Sequence, residues 1–196
     1  MNEEAVIAVA GAATGIRRVA VIGAGVLGRR LAELCCNAGY SVVLEDVLPS
    51  RLRGAARAFQ ALSTDAGRGA VEYAGSIEEA VRDADLVIDC VPDELESKLE
   101  ILSLIDRMAP PRTIIATPTW SLSIADLGSC TYRPERCLGL RLPAGILQVE
   151  AKAHMPAEEL SVVTTAGTDS AVATLVVQFW QTLGFEAQLS LDPSPG

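Results

Sequence analysis

The stretch Arg17-Arg18-Val19-Ala20-Val21-Ile22-Gly23-Ala24-Gly25-Val26-Leu27-Gly28 decides the reading of this chain. An apolar run from Val19 to Ile22 reads as a buried strand, and it runs directly into a glycine cluster. From Gly25 to Ala38 the pattern is that of a helix, with its end marked by Gly39. A second apolar strand, Ser41 to Asp46, closes on an acidic residue.

Gly23-Ala24-Gly25-Val26-Leu27-Gly28 is a complete G-x-G-x-x-G between a strand and a helix, and Asp46 follows Gly28 by 18 residues. Each position has a physical reason. Gly23 permits a tight turn, Gly25 lets a pyrophosphate approach the backbone, and Gly28 lets helix and strand pack closely. The helix start offers unpaired N–H groups and the positive end of its dipole to phosphates. Asp46 is placed to accept hydrogen bonds from the adenosine ribose, and a carboxylate there repels a 2′-phosphate. Cofactor binding is therefore expected from Gly23, Ala24, Gly25, Val26, Leu27, Gly28 and Asp46, with NAD favoured over NADP. A flavin dinucleotide would need more chain to house its ring system. Glu45 should point to the sheet face opposite Asp46.

Working outward, strands and helices alternate. A helix is expected from about Ser50 to Leu62, then a Gly-rich break at Gly67 and Gly69, a short strand Val71-Glu72-Tyr73, and a helix start at Ser76. Asp85 to Val91 is the fourth strand, followed by an amphipathic helix from Glu94 to Met108 stopped by Pro110-Pro111. Thr113 to Thr117, Arg136 to Leu140 and Leu160 to Thr165 read as further strands. A long apolar helix from Asp169 to Leu183 stops at Gly184, and Phe185 to Leu191 is the last strand. This order predicts an α/β fold with a doubly wound, mostly parallel sheet, a Rossmann-type dinucleotide-binding domain. We expect a loose leader over residues 1–15 and one domain over 16–196, with no internal linker.

Composition agrees with that class. Hydrophobic residues make up 49% of the 196 residues and aromatics only 4%, which suits Val/Leu strands and small residues at helix contacts. A net charge of −9 argues against nucleic acid, and the Arg51, Arg53, Arg57 group reads as a solvated helix face. Five cysteines without a C-x-x-C pair fit neither a disulfide scaffold nor a zinc site, so no metal is expected. No apolar run reaches the roughly 18 residues that span a bilayer, and the start Met1-Asn2-Glu3-Glu4 lacks a basic signal region. A soluble, cytoplasmic protein is the expectation.

Val21 to Gly28 and Gly39 to Asp46 resemble the opening of L-3-hydroxyacyl-CoA dehydrogenases. Ala84 to Asp89, followed by Val91-Pro92-Asp93-Glu94-Leu95-Glu96-Ser97-Lys98, is similar to that family's V-(P)-E-N-L-x-x-K segment. Ser121-Leu122-Ser123-Ile124, Pro134 to Leu140, Leu183-Gly184 and Asp192 to Gly196 continue the likeness over nearly all of residues 17–196. The resemblance implies that Asp93 and Lys98 flank the nicotinamide half of the cofactor; ordinary first-turn helix electrostatics is the structural alternative.

The resemblance implies that the family's catalytic pieces are mostly replaced. Its T-N-T-S-S segment reads Thr117-Pro118-Thr119-Trp120-Ser121, and its G-L-H-F-F-N-P segment reads Gly139-Leu140-Arg141-Leu142-Pro143. Arg141 thus stands at the position of the catalytic His. Arginine stays protonated and cannot serve as the base, but it can hold a carboxylate or phosphate in a bidentate fork. The Glu that orients the family's His has two matches. Glu150 follows Leu147-Gln148-Val149, while spacing from the Asp169 helix puts Ser161 there and makes Leu147 to Glu159 an insertion. The second is preferred, because strand-to-helix spacing is harder to alter than a loop. The candidate catalytic residues are Arg141, Ser121 and, on the first of these matches, Glu150. His154, the sole histidine, reads as an exposed loop residue or, less simply, a relocated base.

Only Val47 to Ala70 lies between the second and third strands, where the family carries a long helical hairpin that grips CoA. The family's second, helical domain is also expected to be absent. Three functions compete. The first is NAD-dependent oxidation or reduction of a hydroxyacyl thioester or small acid, in fatty acid or acyl metabolism. The second is a non-redox descendant with a degenerate active site, in which Trp120 either fills the substrate mouth or packs into the core. The third is an interaction surface on the helix carrying Ala171, Leu175, Val176, Phe179 and Leu183, which would make a homo-oligomer or a complex with a protein partner.

Overall fold

The computed structural model describes residues 14–60, 68–147 and 158–192. Most of the expected leader, Glu150, His154 and the closing residues 193–196 lie outside the described residues. The strands are β1 (Arg18–Ile22), β2 (Ser41–Glu45), β3 (Val71–Ala74), β4 (Leu86–Asp89), β5 (Ile114–Pro118), β6 (Cys137–Arg141), β7 (Glu159–Thr164) and β8 (Glu186–Leu191). The helices are α1 (Val26–Asn37), α2 (Pro49–Gln60), α3 (Ile77–Val81), α4 (Leu95–Met108), α5 (Ile124–Ser129) and α6 (Ser170–Thr182).

The strands form one 8-stranded sheet in the order β3-β2-β1-β4-β5-β6-β7-β8. β1 to β6 run parallel, β7 lies antiparallel to β6, and β8 parallel to β7. The fold is therefore α/β with a mostly parallel sheet, Rossmann-like. Period-two alternation explains how a strand such as Val19-Ala20-Val21-Ile22 can be apolar throughout. Val19 and Val21 join the core layer that contains Leu31, Val176 and Phe179, while Ala20 and Ile22 join the opposite layer with Val81, Leu102 and Ile105.

Helix starts follow local chemistry. Ser76 accepts a hydrogen bond from the Glu79 N–H and Asp169 accepts one from the Ala171 N–H. Ser123 does the same for Asp126 and so starts α5, a helix that sequence reading left as a family motif only. α6 buries Val172, Val176, Phe179 and Trp180, while Leu175 and Val177 are half-buried. The Phe179 ring lies 4.9 Å from that of Tyr40, whose hydroxyl is 2.7 Å from the Thr182 hydroxyl. The apolar girth of α6 is thus matched to packing on more than one side.

Chain order reverses between β1 and β4: from β1 the chain builds outward through β2 and β3, then returns to place β4 on the other flank of β1. In open α/β sheets the crevice beyond the strand ends at such a switch point is where ligands bind.

Candidate nucleotide site

The strand β1 ends at Ile22, and Gly23 makes the turn with φ +99, a conformation that side chains rarely adopt. Its N–H donates to the Glu45 carbonyl at 2.9 Å, which ties the turn to the end of β2. At Gly28 the constraint is contact: an added Cβ would lie 1.8 Å from the Gly23 carbonyl oxygen. Helix α1 therefore approaches the turn as closely as a missing side chain allows. Gly25 precedes α1 with no side-chain cap, and a Cβ added there would meet nothing within 4 Å. The positive end of the α1 dipole is left uncapped beside open space, which suits a pyrophosphate.

A cavity of about 470 Å³ opens at this point. Its walls come from the glycine turn, from Glu45, Asp46 and Val47 after β2, from Cys90-Val91-Pro92 after β4, and from Ile77 and Ile101. Asp46 is buried and organised. Its carboxylate accepts from the Ala24 N–H at 2.9 Å and the Leu48 N–H at 2.8 Å, and it pairs with Arg51 at 3.3 Å. Gly23, Ala24, Gly25, Val26, Leu27, Gly28 and Asp46 are thus brought together at one turn. A glycine cradle, an uncapped helix start and a held carboxylate fit a dinucleotide.

Two residues at this cavity were not among the sequence candidates. Arg51 was read with Arg53 and Arg57 as a solvated face; Arg53 and Arg57 are exposed, but Arg51 turns toward Asp46 and lines the cavity. Glu45, expected on the sheet face opposite Asp46, lines the same cavity as Asp46 at the end of β2. Its side chain is buried and Oε1 has no hydrogen-bond partner among the described residues. Burial, helped by the negative charge of Asp46 and opposed by the Gly23 amide, pushes its carboxyl up to about 7. The tandem Glu45-Asp46 was the available signal.

The residues assigned by resemblance spread along the ends of β4 to β6. Lys98 is fully buried, with its ammonium 3.1 Å from Asp89 and 3.0 Å from the Thr117 hydroxyl, which itself donates to Asp89 at 2.9 Å. This triad joins α4, β4 and β5. Asp93 is exposed and accepts from the Trp120 N–H at 3.1 Å, linking the segments after β4 and β5. Ser121 is exposed, and Trp120 is 68% exposed and so is no part of the core. Arg141 is half-buried at the end of β6 and donates to the Thr119 carbonyl. All five cysteines are free thiols, and burial holds the Cys90 thiol well above its ordinary value. No helix among the described residues is long and apolar enough to cross a membrane.

The chain is similar to known dehydrogenases. It is 32% identical over 138 residues to a probable 3-hydroxybutyryl-CoA dehydrogenase of Bacillus subtilis, covering 64% of this chain and 48% of that protein. It is 34% identical over 130 residues to an L-carnitine dehydrogenase of Oceanobacillus iheyensis, covering 62% and 42% respectively. Among solved structures, a diketoreductase superposes with TM-score 0.78 at 27% identity, covering 92% of this chain and 66% of that one. A 3-hydroxyacyl-CoA dehydrogenase of Archaeoglobus fulgidus gives 0.73 at 28% identity, covering 91% and 57%. The chain spans about half the length of the curated relatives it matches. A family model described as 3-hydroxyacyl-CoA dehydrogenase, NAD binding domain, matches residues 18–187, and the chain belongs to that family.

Proposed function

We propose that this chain binds NAD at the β1–β4 crevice and acts in hydride transfer to or from a hydroxyacyl or oxoacyl thioester or a small acid. The observation that carries the reading is the cavity bounded by the Gly23–Gly28 turn and the buried Asp46. Bound NAD would supply a hydride acceptor. The amides at the start of α1 would hold the pyrophosphate, and Asp46 would hold the ribose hydroxyls and disfavour a 2′-phosphate. Asp93 and Ser121, both exposed after β4 and β5, are assigned in this reading to the reacting end.

Arg141 stands where the family resemblance puts the base. A guanidinium cannot take the hydroxyl proton, so its role in this reading is to hold an anionic group of the substrate. NADH should raise the melting temperature, because a ligand that binds only the native state stabilises it. NADH oxidation on adding a 3-oxoacyl thioester then tests turnover.

The exposure of Trp120 favours a second reading, a dinucleotide-binding protein without redox turnover. Stabilisation by NADH with no turnover across acyl-CoA, carrier-bound and free-acid substrates selects that reading. Absence of any stabilisation overturns both.

A further inference from the structure

The dinucleotide cavity is lined by a buried carboxyl that neither the phosphate nor the ribose assignment uses. Glu45 is 3% exposed, it lines the cavity, and its Oε1 is buried without a hydrogen-bond partner among the described residues. A buried, unpaired carboxyl oxygen is costly, so a native structure that keeps one invites a partner. Ile22, Ile77, Val91 and Ile101 line the same cavity and are apolar. Apolar lining beside a buried acceptor suits a heteroaromatic ring that carries an N–H donor. Gly25 and Asp46 line the same cavity, so a nucleotide held on them would carry its base at this space.

We propose that Glu45 is a specificity residue that reads the 6-amino group of the adenine base, accepting its N–H at Oε1. This deepens the dinucleotide reading and rests on it. The other titratable or charged groups among the described cavity-lining residues are Asp46 on the same strand end, Arg51 from α2 and the Cys90 thiol after β4. Arg51 is engaged with Asp46, and the Cys90 thiol stays neutral because burial raises it. Glu45 therefore meets the base as the group that titrates.

The chemistry sets a pH signature. An ionised Glu45 only accepts, so it favours a 6-amino donor and opposes a 6-oxo acceptor. A protonated Glu45 can donate to a 6-oxo group, so its preference shrinks. Burial and Asp46 place that transition at about 7, between the two conditions of the test.

The test is calorimetric titration of the wild-type chain with NAD and with its hypoxanthine analogue, at about pH 8.5 and about pH 5.5, repeated with Glu45→Gln. We expect NAD to bind about tenfold more tightly than the analogue at the higher pH, the usual weight of one charge-assisted hydrogen bond. The gap should narrow at the lower pH and vanish in E45Q, whose amide both donates and accepts. Equal affinities at both pH values, or a preference that survives in E45Q, overturn the role of Glu45 and leave the dinucleotide site intact. Failure of both dinucleotides to bind the wild type overturns the site itself. The wild-type pH comparison decides the matter even where the variant does not fold.

Discussion

The Lys98 ammonium lies 3.1 Å from the Asp89 carboxylate, and both side chains are 0% exposed. With the Thr117 hydroxyl bonded to both, the pair clamps α4 onto the ends of β4 and β5. Removing one partner leaves a buried, uncompensated charge. Lys98→Ala should therefore cost about 3–5 kcal/mol in urea unfolding. The double variant Lys98→Met with Asp89→Asn should recover much of that loss. A single-variant cost under about 1 kcal/mol would mean that water reaches the pair.

Gly28→Ala is expected to strike both fold and site. Its Cβ would stand 1.8 Å from a backbone oxygen, which cannot rotate aside as a side chain could. The helix must move away from the turn, at a cost of about 1–3 kcal/mol in thermal or urea unfolding. The stabilisation by NADH should disappear with it. Normal stability and unchanged NADH stabilisation in G28A would show that the contact relaxes freely.

Asp46→Ser should shift the cofactor preference. The change removes the carboxylate that opposes a 2′-phosphate and releases Arg51 from its pair. NADP should then gain about tenfold on NAD in a binding titration, since arginine is well suited to phosphate. Asp46 also accepts from the Ala24 and Leu48 amides, so some loss of NAD affinity is expected alongside. An unchanged NADP-to-NAD ratio would separate Asp46 from ribose selection.

Glu45 gives the fold a pH dependence of its own. The native carboxyl keeps its proton up to about 7, while the unfolded chain releases it near 4.5. Between those values the native state binds more protons, so stability falls as pH rises. The contribution is fully present below about 4.5 and lost through about 7. Urea midpoints measured across that window should decline in the wild type and flatten in Glu45→Gln; an equal decline in both would place the slope on another group.

How much of this was legible beforehand depended on whether a feature is local. The strand, turn and helix from Arg18 to Asn37 could be read residue by residue, because glycine spacing and apolar runs report backbone needs directly. The same holds for Asp46 at the end of β2. The antiparallel placement of β7 was not legible, since Leu160 to Thr165 reads alike in either direction and pairing with β6 is a tertiary outcome. Helix α5 is short, and its Ser123 cap was overshadowed by the motif around it. The resemblance set Lys98 beside the nicotinamide half of the cofactor, with first-turn helix electrostatics as the alternative, and only the three-dimensional meeting with Asp89 and Thr117 explains its burial. Strand alternation alone assigned Glu45 to the face opposite Asp46, and both residues line one cavity. What strand alternation could not say is that both become cavity wall where the sheet ends.

The most direct check on the central claim is calorimetric titration of the chain with NAD, NADH and NADP. The account predicts saturable, one-to-one binding of NAD and NADH, with NADP clearly weaker because Asp46 faces its 2′-phosphate. No saturable heat from any of the three at millimolar concentration would contradict it.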